Sequence, residues 1–195
     1  DGPWLAAKCN ISDAALQYRP LFNDISVEIG ESYFYRVIAL NSAGISKPSN
    51  VVGTVSVSCK TLVDEMQDMQ FIHKHSDNLS LEIKQARNFK EDAHRLKGKP
   101  GDYVVYKVEP PINSWKVYSF FPEDITDFKF SVSTDGRDFN QVEFERTDYF
   151  VGKGEYDYYN PVLYKGTCSG DKAAYLKIEY NTEAQISCVE IKYGR

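Results

Sequence analysis

The feature that most constrains this chain is a series of short segments in which apolar and polar residues alternate with a period of two, each closed by a turn signal. Phe128-Lys129-Phe130-Ser131-Val132-Ser133 alternates strictly. In an extended strand this puts Phe128, Phe130 and Val132 on one buried face. Thr134-Asp135-Gly136-Arg137 follows at once and reads as a hairpin turn whose glycine accepts a positive φ. Further strand candidates run from Tyr103 to Val108, Trp115 to Phe121, Val142 to Glu145, Tyr175 to Tyr180 and Ile186 to Tyr193. Upstream, Ile25, Val27 and Ile29 alternate before Gly30, and Tyr33 to Leu40 forms a strand closed by Asn41-Ser42-Ala43-Gly44. Val51, Val52, Val55 and Val57 make another. Turn signals at intervals of about 8–12 residues, with no convincing long helix, predict an all-β chain built of sandwiches. The 14 Tyr and 11 Phe suit that reading.

A chain of 195 residues holds one large domain or two small ones. Its net charge of −5, from 23 basic and 28 acidic residues, argues against nucleic acid or an anionic membrane as partner. No apolar run approaches the ~20 residues that span a bilayer, so no membrane span is expected. The opening Asp1-Gly2-Pro3-Trp4 reads as a turn, which suggests a piece of something longer. Cys9, Cys59, Cys168 and Cys188 form no C-x-x-C pair, which removes a zinc knuckle and leaves three disulfide pairings open. Two sequons, at Asn10 and Asn78, matter only in a eukaryotic secretory setting.

Residues 30–50 carry a resemblance. Gly30, Tyr33, Val37, Ala39, Asn41, Gly44 and Ser49 fall where the last part of a fibronectin type III domain places the same residue types. The resemblance implies that residues 1–57 are the C-terminal part of such a domain. Tyr33 would be its tyrosine corner, with the ring in the core and the hydroxyl bonded to backbone upstream. A sandwich without its early strands exposes its inner face. A second resemblance covers residues 58–195. Ser133, Asp135, Gly136 and Phe139, followed by Leu176, Ile178, Ile186, Val189 and Ile191, are similar to the galactose-binding-like, discoidin-type jelly roll. The order of the two modules resembles the accessory tail of secreted bacterial glycoside hydrolases. That resemblance implies a secreted, periplasmic or cell-surface location and a catalytic domain in the same polypeptide.

Within the chain itself no catalytic constellation stands out. No G-x-S-x-G, phosphate loop or H-E-x-x-H is present. Glu179 and Glu190 are placed to face each other across a final hairpin, but exposed strand carboxylates explain them more simply. His73 and His75 share a strand face without a third ligand, and Asp92-Ala93-His94-Arg95 reads as a solvated loop before it reads as a sugar contact. No cofactor is required. A structural calcium is conceivable if Asp64, Glu65 and Asp68, near the start of the jelly roll, converge with Glu190 near its end.

The sharper signal is the run from Asp148 to Pro161, which holds five aromatics among two glycines and a proline. Several rings in such a loop are expected near the surface, because burying them would carry unpaired backbone inward; the alternative is that the tyrosines pack the loop onto the sheet or onto the partial first module. Tyr156, Asp157, Tyr158 and Tyr159 are therefore the candidate carbohydrate contacts, the rings stacking on sugar faces while the carboxylate takes hydroxyls. Tyr164, Phe150 and Trp115 are assigned to the core instead. The resemblance of the two-module order, more than any single residue, implies a non-catalytic module that binds a polysaccharide or oligosaccharide. Its rivals are a structural spacer packed on a catalytic domain and a protein-adhesion module.

Overall fold

The computed structural model describes residues 3–6, 24–53, 56–89, 92–148, 159–168 and 172–194, and apart from one short 3-10 helix at Ala86–Phe89 its regular structure is all β. The N-terminal part carries four two-residue strands: Phe34–Tyr35 (β1), Leu40–Asn41 (β2), Gly44–Ile45 (β3) and Val52–Gly53 (β4). β1 pairs with β4 and β2 with β3, both antiparallel. Asn41 shapes the tight turn by accepting the Ala43 amide on Oδ1 at 2.8 Å. The Ser49 hydroxyl accepts the Val37 amide at 2.9 Å. The Tyr33 hydroxyl accepts the Glu28 amide, five residues upstream, at 3.0 Å. Its ring is half-buried, no described residue between 24 and 53 is fully buried, and Phe34, Val37, Leu40 and Ile45 are largely exposed.

Twelve strands follow: Lys60–Asp64 (β5), Ile72–His75 (β6), Ser80–Glu82 (β7), Arg95–Gly98 (β8), Tyr103–Lys107 (β9), Ile112–Phe121 (β10), Lys129–Ser133 (β11), Asn140–Gln141 (β12), Glu145–Asp148 (β13), Asn160–Thr167 (β14), Tyr175–Glu179 (β15) and Ala184–Tyr193 (β16). They form a seven-stranded sheet in the order β13-β14-β10-β16-β8-β7, with β5 also paired to β16. A five-stranded sheet runs β12-β11-β15-β9-β6. The chain passes back and forth between the sheets, from β8 to β9 to β10 to β11 and from β14 to β15 to β16, which is the winding of a jelly roll.

The strand parity explains the core. Val104 and Tyr106 of β9, Phe130 of β11 and Leu176 and Ile178 of β15 point inward from the smaller sheet. They meet Leu96, Trp115, Val117, Val162, Tyr164, Ile186, Val189 and Ile191 of the larger one. Trp115 stacks on Phe130 with centroids 4.4 Å apart. Its indole lies over Gly166, the residue directly opposite on β14, where a Cβ would come within 2.2 Å of the ring. Gly166 therefore serves a strand, and Asn160–Thr167 is β structure despite its proline and glycine. The expected strand from Val142 to Glu145 is corrected. Val142 and Phe144 touch the core while the chain crosses between sheets, and ladder pairing falls to β12 and β13 on either side. On its outer face the seven-stranded sheet carries a second buried cluster of Val63, Tyr118, Leu163 and Cys188.

Candidate functional site

Inward alternation in β9 and β15 forces the intervening residues outward, onto the free face of the five-stranded sheet. Tyr175 lies opposite Lys107, Lys177 opposite Val105, and Glu179 opposite Tyr103. The two half-buried tyrosines thus stand on neighbouring strands, four positions out of line, or about 13 Å along the strand direction. A register irregularity between Ile72 and Lys74 sets His73 and Lys74 together against Val105, as a bulge does. His73 meets Tyr175 edge-on at 5.6 Å. The Lys107 ammonium is 5.5 Å from the Tyr175 ring centre and the Lys177 ammonium 4.9 Å from that of Tyr103. Lys177 also donates to Glu179 at 2.7 Å, and this bond holds the Glu179 carboxyl below the usual range. His73, Lys74, Tyr103, Tyr175 and Lys177 line an open cleft of about 630 Å³, bordered by Arg137 and Phe139.

The border is the Ser133–Asp138 turn, and its residues have definite tasks. Ser133 donates its hydroxyl to Asp135 Oδ1 at 2.9 Å and accepts the Gly136 amide at 2.9 Å. Asp135 accepts the Arg137 and Asp138 amides at 2.8 and 3.1 Å, which depresses its carboxyl pKa. Gly136 has φ +76°, and a Cβ there would press on the Tyr175 ring at 3.0 Å. The glycine thus seats the turn directly against Tyr175. Two further clefts open around the same turn. One of about 1120 Å³ reaches Asn113, Asp138, Asn140 and Lys172. The other, of about 690 Å³, holds Lys60, Glu109 and the far side of Tyr175. Tyr175 and Asp135 link the three into one shallow surface of mixed polar and apolar character, suited to an extended ligand.

Of the contacts anticipated in the aromatic run, Tyr156, Asp157 and Tyr158 lie outside the described residues, as does the core candidate Phe150. Tyr159 packs edge-on to Phe89, centroids 4.5 Å apart, and donates its amide to the Asn88 carbonyl at 3.0 Å. Phe89 in turn meets Phe120 edge-on and lies 3.8 Å beneath the Arg95 guanidinium. Arg95 corrects the expectation of a solvated loop at 92–95. It is 1% exposed, donates to the Asp92 and Lys84 carbonyls and to Gln185 Oε1, and burial lowers its pKa. A rigid five-donor fork can tie three acceptors from separate segments in this way. Tyr164 and Trp115 are buried, as anticipated.

The carboxylates also find their places. Asp64, 2% exposed, accepts the Met66 amide and the Tyr106 hydroxyl, each at 3.0 Å, and burial raises its carboxyl to about 6. Asp68 is exposed and accepts the Gln70 amide at 2.8 Å. Glu190 pairs with Lys116 at 3.1 Å. In the β5–β16 ladder Val63 is opposite Glu190 and Asp64 opposite Val189, so Asp64 and Glu190 face opposite sides of the sheet. Among the described residues no group of three or more His, Cys, Asp or Glu is placed to hold a metal ion. The pairing of Glu179 with Glu190 is corrected as well. β15 and β16 belong to different sheets, because residues 180–183 cross the sandwich instead of closing a hairpin. Cys59, Cys168 and Cys188 are free thiols, and no described helix is long and apolar enough to cross a membrane.

Tyr103, Tyr175 and Lys177 are not among the candidate contacts read from the sequence. The signal was present: in Tyr175-Leu176-Lys177-Ile178-Glu179 the apolar residues claim the inner face and leave the ring and both charges outside.

No protein-family model matches the chain, and no curated protein matches it in sequence. Among solved structures it is similar to a family 6 carbohydrate-binding module, at 9% identity and a TM-score of 0.43, over 68% of this chain and 94% of that one. It is similar to the C-terminal family 6 module of a marine laminarinase from Zobellia galactanivorans, at 13% identity and a TM-score of 0.40, over 68% and 99%. It also resembles the catalytic domain of a GH87 α-1,3-glucanase, at 12% identity and a TM-score of 0.43, over 69% and 28%.

Proposed function

We propose that this chain is a non-catalytic, glycan-binding accessory region, and that the outer face of its five-stranded sheet is the binding surface. The observation that carries the proposal is the pairing of Tyr103 and Tyr175 on one open face, each beside a lysine and bordered by a turn rich in polar groups. Sugar rings stack their C–H faces on such rings, and their hydroxyls pair with the surrounding charged and amide groups. In this reading residues 1–57 are the end of a fibronectin type III-like module, which the Tyr33–Glu28 bond supports. Residues 58–195 are the binding jelly roll. The parent is a polysaccharide-degrading glycoside hydrolase, secreted, periplasmic or at the cell surface. The module serves its catalytic domain by holding substrate at a raised local concentration.

Isothermal titration of the full chain against a panel of oligosaccharides tests this. Binding is expected, with Tyr175→Ala and Tyr103→Ala each weakening it about tenfold, equivalent to ~1.4 kcal/mol. If Tyr158→Ala abolishes binding while Tyr175→Ala leaves it intact, the glycan sits on the aromatic run and the sheet-face assignment is wrong. If no glycan binds, the spacer or protein-adhesion reading replaces this one.

A further inference from the structure

The face that holds Tyr103 and Tyr175 has a charge pattern that a neutral glycan does not need. Lys74, Lys107, Lys129, Arg137 and Lys177 stand on it or on its bordering turn, in a chain whose net charge is −5. Among the described residues three carboxylates, Asp135, Asp138 and Glu179, stand among these five cations, and two of the three are engaged. Asp135 is held by backbone amides of its own turn. Glu179 pairs with Lys177 at 2.7 Å and Lys129 at 3.9 Å. Lys74 and Arg137 are exposed and have no ion pair among the described residues.

The placement of the lysines sharpens the point. The Lys107 and Lys177 ammoniums rest beside the two rings on which a sugar would stack. A neutral sugar must displace each ammonium from its ring and offers no charge in return. An acidic sugar brings an anion to the ammonium it displaces, and a charge-assisted hydrogen bond is stronger than a cation–π contact at an exposed site. Arg137 adds a planar fork that matches the paired oxygens of a carboxylate or sulfate ester. Resting on the glycan-binding reading, we infer that the ligand is an acidic polysaccharide: its rings lie on Tyr103 and Tyr175 and its anionic groups pair with Lys74, Lys107 and Arg137.

The test is titration calorimetry of the full chain with three oligosaccharides of equal length: oligogalacturonate (carboxylate), a κ-carrageenan oligosaccharide (sulfate ester) and a neutral cello-oligosaccharide. At least one acidic ligand is expected to bind about tenfold or more tightly than the neutral one. The advantage should fall at least threefold between 50 and 500 mM NaCl, as screening requires. The two acidic arms tell carboxylate from sulfate ester. Lys74→Gln/Arg137→Gln, two changes at exposed positions, is expected to remove at least half of the logarithmic advantage, while Lys99→Gln, outside the face, is the control for overall charge and retains it. Equal, salt-insensitive binding of neutral and acidic ligands, still lost in Tyr175→Ala, overturns this inference and leaves the glycan-binding reading standing. Binding of single-stranded DNA as tightly as the acidic glycan overturns it too, because the face is then a general polyanion surface. Failure of all three oligosaccharides overturns both.

Discussion

Asp64 offers a prediction whose size and sign come from the structure. Its carboxyl is 2% exposed, and its two hydrogen bonds, from Met66 and Tyr106, do not offset the cost of burying a charge. The carboxyl titrates at about 6 instead of 3.8, and at 1.36 kcal/mol per pK unit the charged form costs about 3 kcal/mol in the folded state. Because the folded pKa is raised, the folded state holds the proton more tightly than the unfolded one. This group's favourable contribution is therefore complete below about pH 4 and is lost as pH rises through 6. Asp64→Asn keeps the shape, still accepts the Met66 amide, offers its NH₂ to the Tyr106 hydroxyl, and never charges. It should be more stable than the native protein by up to about 3 kcal/mol at pH 7.5, the gap closing toward zero at pH 4. Urea unfolding followed by the fluorescence of the buried Trp115, run on both proteins from pH 4 to 8, measures the gap directly. Carboxyls with depressed pKa values, such as Glu179 and Asp135, act equally in both proteins and cancel in the difference. A gap that does not change with pH, or an Asn variant less stable at pH 7.5, would refute the reasoning.

Gly166→Ala places a methyl group inside the Trp115 indole and should cost about 1–3 kcal/mol in a denaturation curve; an unchanged midpoint would mean that the indole has room to move. Arg95→Met keeps the stem over Phe89 but leaves the Asp92 and Lys84 carbonyls and Gln185 without their donor. That should cost roughly 1–3 kcal/mol and raise protease sensitivity around residues 84–92. Ser133→Ala releases the hydroxyl that organises the turn against Tyr175, so glycan affinity should drop severalfold while the melting temperature moves by only a few degrees.

The chemistry of alternation made the sandwich legible. Phe130, Leu176 and Ile178 are inward residues of β11 and β15, as their spacing demands. The strands that escaped notice are those whose pattern is overwritten by something else. β14 carries a glycine because Trp115 needs the space over Gly166, and β6 breaks its period at a bulge. Arg95 looked like a surface cation because sequence cannot show that three acceptors wait for it in the interior. The site was partly legible. Ser133, Asp135 and Gly136 read as a turn motif in the sequence, yet their service to Tyr175 becomes visible only once β11 and β15 are paired. Which of the 14 tyrosines face solvent on the same sheet is a matter of strand order, and β9 and β15 are about 70 residues apart in the chain.

The central claim is that the free face of the five-stranded sheet binds glycan. A titration of the ¹⁵N-labelled chain with the oligogalacturonate, the κ-carrageenan oligosaccharide and the cello-oligosaccharide in turn, followed by amide chemical shifts, tests it most directly. The account predicts saturable shifts clustered on Tyr103, Lys107, Gly136, Arg137, Tyr175 and Lys177. Saturable shifts confined to the opposite face, around Phe89, Arg95 and Tyr159, or no shifts at millimolar ligand, would contradict it.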